Sequence, residues 1–246
     1  MVSAIIEIGI KDLMELAERE WREDMKNRAV VLLSGGMDST VCAYIASKKH
    51  RDLYFLSFDY GQLHRKEIEF AKQTAIRLGG IEHRIVRLDF NQWISSPLLG
   101  QGEIPEGIVS GIAPTWVPQR NAIFLAIAFS YAELVSASAV FIGVSQVDFS
   151  GYPDCREEFI NSIEDSLNLA GGKSGSDRIK IEAPLMFTSK AEEVKVGERL
   201  RVPWGNTWTC YRGEEKACGS CPSCSLRLSA FKEAGIVDPI KYKEVE

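Results

Sequence analysis

The chain has 246 residues, of which 45% are hydrophobic and 26% charged, the balance of an ordinary soluble globular protein. Its net charge of -5 argues against nucleic-acid binding, which normally shows as a basic surplus. No low-complexity tract, internal repeat or apolar stretch of the roughly 18 residues needed to span a membrane is found. Residues 1–10 lack the basic lead and cleavage site of a signal peptide. We therefore expect a cytoplasmic protein with no membrane partner and no direct nucleic-acid partner.

Apolar runs alternate with amphipathic stretches along most of the chain. A short amphipathic helix is predicted over residues 11–27. Strands are predicted at 29–33, 53–58, 81–88, 139–144 and 179–183, and helices at 38–49, around 70–78, from Pro118, and at 153–169, 189–200 and about 223–234. Residues 90–117 are predicted to form a long loop. This alternation predicts an α/β protein with a Rossmann-like parallel sheet and helices on both faces, where ligands bind at the carboxyl ends of the strands.

A glycine-rich loop follows the first predicted strand and opens a helix. It reads Ser34-Gly35-Gly36-Met37-Asp38-Ser39-Thr40. The two glycines allow unusual dihedrals and close backbone approach, and the loop N–H groups with the helix N-terminus make an anion site. Asp38 fits either as a helix cap or as a partner of Mg²⁺. A tight turn before a capped helix is the ordinary alternative.

This loop resembles the SGGxDS loop of the pyrophosphatase-loop ATPases. In that superfamily the loop holds the pyrophosphate end of ATP, so AMP and pyrophosphate are the expected products. A second stretch, Gly172-Lys173-Ser174, mimics the end of an ordinary ATPase loop. It follows a predicted helix and lacks the first glycine of that motif, so we give it little weight.

Four of the six cysteines crowd into the tail with the spacing C-x7-C-x2-C-x2-C. They are Cys210, Cys218, Cys221 and Cys224. Four thiolates can close a tetrahedral zinc site, and such a site has no open position, so its predicted role is structural. Disulfides or buried free thiols are the alternatives. Of the other two, Cys42 is interpreted as a packing residue and Cys155 stays open.

Four polar segments follow predicted strands or open a predicted helix. They cover residues 59–64, 116–121, 148–157 and 187–190. Each alone reads as an ordinary polar loop. Because the carboxyl ends of parallel strands meet at one edge of a sheet, we expect the four to converge on a substrate site beside the glycine-rich loop.

Together these segments resemble the 7-cyano-7-deazaguanine synthase family. The matching stretches are LLSGGMDST, FDYGQLHRKE, VPQRN, GVSQVDFSGYPDCREEF, APLMFTSKAE and the tail TWTCY with CGSCPSC, in family order over about residues 29–239. The resemblance implies a nucleotide-binding domain at 29–206 and a zinc-binding region at 207–246. Residues 1–28 read as an N-terminal extension, for which a homodimer contact is one open role.

The resemblance also implies a reaction. The family converts 7-carboxy-7-deazaguanine, ammonia and ATP into the nitrile in the queuosine and archaeosine pathways of tRNA modification. ATP activates the carboxylate as an acyl adenylate, ammonia gives the amide, and a second adenylation leads to the nitrile. The developing charge calls for Mg²⁺ and cationic donors. Since the chain has no room for a glutaminase domain, free ammonium is the expected nitrogen donor.

Roles for individual residues follow from the same resemblance. ATP contacts are expected at Leu33, Ser34, Gly35, Gly36, Met37, Asp38, Ser39 and Thr40, and catalytic roles at Asp38, Arg120 and Lys190. Substrate contacts are expected at Tyr60, Gln62, His64, Asn121, Asp148, Tyr152, Asp154 and Arg156. Tyr60, Phe149 or Tyr152 would stack on the deazapurine, and Asp148 or Asp154 would accept hydrogen bonds from its guanine-like edge.

Two other functions remain open from the sequence. A tRNA-modifying ligase of the thiolation or lysidine type would share the loop, but it needs an RNA surface, which the acidic total disfavours. A zinc-bearing regulatory or nucleic-acid-binding module is permitted by the cysteine tail alone, but the α/β body with its phosphate loop makes an enzyme the stronger interpretation.

Overall fold

The computed structural model describes residues 27–107, 111–145 and 151–243. Most of the predicted N-terminal extension, with its helix over 11–27, lies outside the described residues. So do Asp148 and Phe149, two of the residues predicted to contact the deazapurine.

The centre of the fold is a five-stranded parallel sheet with the order β3-β2-β1-β4-β5. Its strands are β1 (Arg28–Leu32), β2 (Asp52–Asp59), β3 (Glu82–Arg87), β4 (Ala139–Phe141) and β5 (Lys180–Glu182). Val30 at the middle of β1 is fully buried and pairs with Tyr54 on one side and Val140 on the other. The predicted Rossmann-like parallel sheet is confirmed, and its strand order reverses between β1 and β4.

Six α-helices cover the two faces of this sheet in the described residues. They are α1 (Met37–Lys49), α2 (Glu67–Arg77), α3 (Arg120–Leu134), α4 (Glu157–Ala170), α5 (Lys190–Arg199) and α6 (Pro222–Ala234). On one face, Leu125 of α3 and Ile160 of α4 join a buried apolar cluster with Val30. On the other face, α1, α5 and α6 contribute to a second cluster. Burial of both faces explains why β1 is apolar throughout its interior.

Two helices begin later than the sequence predicts. The helix expected from Pro118 starts at Arg120, because Gln119 before it has a left-handed φ of 60°. The helix expected from residue 153 starts at Glu157, because Arg156 is extended and follows a separate 3₁₀ turn at Pro153–Cys155. Prolines therefore precede both helices without opening them.

The remaining elements lie close to their predicted places. Strands β4 and β5 are shorter than expected, since the chain leaves the ladder soon after Phe141 and Glu182. The predicted long loop contains two 3₁₀ turns, Phe90–Gln92 and Pro97–Leu99. A capping box between Ser189 and Glu192 fixes the start of α5. Among the helices in the described ranges, none is long and apolar enough to cross a membrane.

Candidate active site

A cavity of about 230 Å³ lies at the carboxyl ends of the central strands, beside the point where the strand order reverses. This is where open α/β sheets bind their ligands. The loop after β1, the segment after β2, the start of α3, the segment after β4 and the cysteine-bearing tail all contribute to its walls. Of the four polar segments predicted to converge here, 59–64, 116–121 and 148–157 contribute residues to the lining, whereas 187–190 contributes none.

Eleven of the predicted ATP, catalytic and substrate residues line this cavity. They are Leu33, Ser34, Gly36, Met37, Asp38, Ser39, Tyr60, His64, Arg120, Asn121 and Tyr152. Six others are absent from the lining, namely Gly35, Thr40, Gln62, Asp154, Arg156 and Lys190. The structure gives most of these six a different task, described below.

Hydroxyl groups hold the loop after β1 in shape. The Ser34 and Ser39 Oγ atoms are 2.9 Å apart, and the Ser34 N–H donates to Ser39 Oγ at 3.1 Å. The N-cap of α1 is Gly36, and no side chain caps this helix, so the interpretation of Asp38 as a helix cap is wrong. An uncapped helix N-terminus keeps N–H donors for an anion. Thr40 is fully buried beneath the loop and does not reach the cavity.

Two glycines allow the loop to pack closely against neighbouring backbone, where a side chain would not fit. Gly35 has a φ of 90°, and a Cβ there would lie 2.0 Å from the carbonyl oxygen of Glu67 in α2. A Cβ on Gly143, after β4, would lie 2.8 Å from the Ser39 backbone nitrogen. The Trp208 N–H also donates to the Gly35 carbonyl at 2.9 Å. Gly35 therefore serves close packing against α2 and the tail as well as the turn itself.

A buried cation lies directly behind the loop. Lys190, the first residue of α5, places its Nζ 2.6 Å from Asp38 Oδ1 and 3.4 Å from Glu193 Oε2. Glu193 is fully buried, and its Oε1 has no hydrogen-bond partner among the described residues. Burial, and then the neighbouring Asp38, hold the pKa of Glu193 well above its usual value. Lys190 thus reaches the site through Asp38, which does line the cavity.

One wall of the cavity is aromatic. Phe58 and Phe124 stack with ring centroids 3.8 Å apart and an angle of 4° between their planes. The Tyr60 ring is tilted against the Phe124 ring, with their centroids 5.5 Å apart. The Tyr60 hydroxyl accepts a 3.3 Å hydrogen bond from Arg120 Nη1. The hydroxyl of Tyr152 lies 2.8 Å from Thr115 Oγ1. Flat apolar faces beside a guanidinium suit a planar ring that carries an anionic group.

Several predicted substrate residues build the walls instead. Asp154 is buried, and its Oδ2 accepts a 3.0 Å hydrogen bond from the backbone N–H of Asn121 at the start of α3. Gln62 is also buried, accepts from the Tyr60 N–H at 2.8 Å and donates to the Phe58 carbonyl at 2.9 Å. Asp154 thus joins two cavity segments that are far apart in the chain, whereas Gln62 fixes the turn that follows β2. Arg156 is exposed immediately before α4.

Sequence reasoning assigned no role to Glu67, although it ends the quoted stretch FDYGQLHRKE. Glu67 is one of the residues that line the cavity, and its Oε1 lies 3.4 Å from the Nε2 atoms of both Gln62 and His64. Burial raises the pKa of Glu67 from 4.5 to about 8. Burial, together with nearby Arg120, lowers the pKa of His64 from 6.5 to about 4. At neutral pH the His64–Glu67 contact is therefore not an ion pair. The sulfur-bearing Cys155, left open above, also lines the cavity.

The four tail cysteines meet the geometric demand of a metal site. Their sulfur atoms all lie within 4.8 Å of one another, and Cys218 Sγ is 3.8 Å from Cys224 Sγ. A tetrahedral zinc site with Zn–S bonds of about 2.3 Å has sulfur–sulfur edges of about 3.8 Å. Backbone N–H groups of Cys218 and Cys221 donate to sulfur atoms of the set, as expected around thiolates. The donor set therefore fits zinc.

The tail that carries these cysteines is locked to the body by a buried arginine. Arg227 of α6 donates two hydrogen bonds to Asp238, at 2.7 and 2.9 Å, and others to Thr207 Oγ1 and the Trp204 carbonyl. Trp208 stacks on Phe70 of α2 with centroids 6.2 Å apart. Because Trp208, Thr209 and Tyr211 line the cavity, the cysteine-bearing tail contributes one of its walls.

Comparison with known proteins identifies the family of this chain. The family model described as "Queuosine biosynthesis protein QueC" matches residues 28–235. The 7-cyano-7-deazaguanine synthase of Clostridium kluyveri is 50% identical over 221 residues, covering 88% of this chain and 98% of that protein. The protein of the same name from Acetivibrio thermocellus is 51% identical over 221 residues, with the same coverages.

Among solved structures, the NMN synthetase of Francisella tularensis is similar over 91% of this chain and 82% of its own, with a TM-score of 0.47 and 15% identity. The family match covers the whole described sheet, the glycine-rich loop after β1 and the four cysteines. The chain belongs to the QueC family of queuosine biosynthesis proteins.

Proposed function

We propose that this protein is the ATP-dependent ligase that converts 7-carboxy-7-deazaguanine and ammonia into 7-cyano-7-deazaguanine. The observation that carries the proposal is that the phosphate loop and the arginine-bearing aromatic wall share one cavity. Relatives named 7-cyano-7-deazaguanine synthase support the same product. A site that joins a nucleotide loop to a flat, cation-bearing pocket suits adenylation of an aromatic carboxylate.

The phosphate loop is the proposed seat of ATP. Ser34 and Ser39 line the cavity together with the first residues of α1, and no side chain caps the start of that helix. Asp38 is the carboxylate at this end of the cavity that would hold Mg²⁺, which when bound supplies charge neutralisation for the phosphates. Lys190, 2.6 Å from Asp38, adds a fixed positive charge that stabilises phosphate oxygens as negative charge develops.

The deazapurine ring would lie against Tyr60 and the Phe58–Phe124 stack, with its carboxylate toward Arg120. The carboxylate oxygen attacks the α-phosphorus of ATP, the bond to pyrophosphate breaks, and an acyl adenylate results. Ammonia then forms a C–N bond at the acyl carbon while the C–O bond to AMP breaks. A second ATP activates the amide oxygen in the same way, and loss of AMP with the remaining amide protons leaves the nitrile.

The four cysteines are proposed to hold a structural zinc ion. A closed four-sulfur site supplies no open coordination position for substrate. Its effect on the reaction is positional, since Trp208, Thr209 and Tyr211 lie next to Cys210 and line the cavity. Zinc binding would therefore stabilise one wall of the site.

The test is incubation of the purified protein with Mg-ATP, ammonium chloride and 7-carboxy-7-deazaguanine, with mass spectrometry of nucleotides and deazapurines. We expect the nitrile together with AMP. The Arg120→Lys variant should lose turnover through a higher KM for the acid, because lysine cannot reproduce a bidentate guanidinium contact. Arg84→Lys, on the exposed edge strand β3, is the matched control. Nitrile with ADP would refute the role given to the loop, and absence of any deazapurine product would refute the substrate.

A further inference from the structure

Two carboxyl groups belong to the cavity lining in the described part of the chain, and they are not equivalent. Asp38 is neutralised by Lys190 at 2.6 Å. Glu67, at the first turn of α2, forms no ion pair with a lysine or arginine within the described residues, and the neighbouring imidazole of His64 is uncharged at neutral pH. A carboxyl group that is buried without a cationic partner costs stability, and such groups concentrate at functional sites.

The immediate neighbours of Glu67 leave it able to bind a small cation. Its Oε1 makes two long contacts of 3.4 Å, to the Gln62 amide and the His64 imidazole. Gln62 is held by the backbone of Phe58 and Tyr60, so it cannot close on the carboxyl group without giving up those bonds. The titratable or charged groups that face Glu67 are His64, Tyr60 and Arg120.

On the basis of the proposed function, we propose that Glu67 binds the ammonium ion and removes one of its protons, so that ammonia forms beside the acyl adenylate. The ionised form of Glu67 is the reacting one: its carboxylate takes the proton and becomes a carboxylic acid. The freed nitrogen lone pair forms the C–N bond, and the C–O bond to AMP breaks with its electron pair going to the phosphate. The second nitrogen proton leaves with AMP, and Glu67 returns its proton to solvent after product release.

Two features favour this role over a purely structural one. Glu67 is 8% exposed and belongs to the residues that line the cavity, so a cation as small as ammonium can approach its side chain from the cavity. Burial raises the pKa of Glu67 to about 8, which brings its proton affinity toward that of ammonia and makes proton transfer less uphill than to an ordinary carboxylate.

The experiment compares Glu67→Gln with Glu69→Gln, an exposed acid on the same helix. Adenylation alone is measured as pyrophosphate exchange into ATP that depends on 7-carboxy-7-deazaguanine. Complete turnover is measured with ammonium, and a third assay replaces ammonium by hydroxylamine, which is mostly uncharged at neutral pH and needs no base to free its lone pair. Melting temperatures report folding.

We expect Glu67→Gln to retain pyrophosphate exchange and hydroxamate formation within a few fold, and to lose about 10²-fold or more in the ammonium reaction. Glu69→Gln should match the wild type in all three assays. Parallel loss of exchange and ammonium turnover would overturn the proposal and place Glu67 at the deazapurine or in the fold. Unchanged ammonium turnover would also overturn it. Failure of the wild-type protein to make AMP and nitrile would instead refute the proposed function, so the two are separable.

Discussion

Replacement of Gly35 by alanine tests the packing of the phosphate loop against α2. Gly35 has a φ of 90°, and its added Cβ would lie 2.0 Å from the Glu67 carbonyl oxygen and 2.8 Å from the Ala71 nitrogen. Gly79, at the other end of α2, has a φ of 66° but no heavy atom within 4 Å of its added Cβ. The pair Gly35→Ala and Gly79→Ala therefore shares the backbone strain and differs in the contact.

The expected magnitudes follow from these two terms. A side chain in the left-handed region destabilises the fold by about 1–2 kcal/mol. Alanine also lowers the conformational entropy of the unfolded chain, which offsets about 0.4–1 kcal/mol of that cost. Gly79→Ala should therefore lower the free energy of unfolding by about 1 kcal/mol. Gly35→Ala adds an overpacking cost of about 1–3 kcal/mol. At about 2–4 °C per kcal/mol, its Tm should lie about 2–12 °C below that of Gly79→Ala.

Function should separate the two variants further. A shift of the Glu67 backbone away from a methyl group at residue 35 moves both the loop and the cavity wall. Gly35→Ala should therefore raise the KM for ATP in pyrophosphate exchange, while Gly79→Ala leaves it unchanged. Equal Tm values for the two variants, with equal KM for ATP, would refute the conclusion that α2 holds the loop in place.

Four further outcomes follow from the structure. Lys190→Met should lower kcat for AMP formation by about 10²-fold or more, because a charge preorganised for phosphate oxygens is lost; an unchanged kcat would remove Lys190 from the catalytic set. Cys218→Ser should reduce the zinc content measured by elemental analysis below that of the wild type, and a metal-replete wild type without zinc would disprove the assignment. Arg227→Met should lower stability to denaturant by about 3–5 kcal/mol, since it leaves the Asp238 carboxylate, whose side chain is 6% exposed, without its cationic partner, and a loss under 1 kcal/mol would contradict this. Because the pKa of Glu67 is raised from 4.5 to about 8, the folded state keeps a proton that the unfolded chain releases over this range. Stability to denaturant should therefore fall as the pH rises from 4.5 to 8, and the Glu67→Gln variant should show a flatter pH dependence.

Local chemistry accounts for what could be predicted from the sequence. Continuous apolar runs such as residues 29–33 indicate strands buried on both faces, and their alternation with helices specifies a parallel sheet. The glycine pair between strand and helix indicates the phosphate loop. The spacing of the cysteines indicates a metal site because neighbouring thiolates have few other uses in such a pattern. Each of these signals is contained in a short stretch of chain.

Helix starts were less predictable because they depend on single dihedral angles. A proline is compatible with the first turn of a helix, so Pro118 and Pro153 suggested starts there. The left-handed Gln119 and the extended Arg156 delay both helices, and the Asp154–Asn121 hydrogen bond then joins the two segments. That contact spans 33 positions, and no local pattern announces it.

The sequence by itself determined the fold class, the phosphate loop and the four-cysteine set, because each is written in neighbouring residues. Only the tertiary structure decided which polar residues line the cavity and which support its walls. Gln62 and Asp154 are held in the walls, Lys190 reaches the cavity through Asp38, and Glu67 joins the residues that line it. The same polar side chain can brace a wall or face a ligand. Its burial and its partners, which come from strands and helices far apart in the chain, decide between the two.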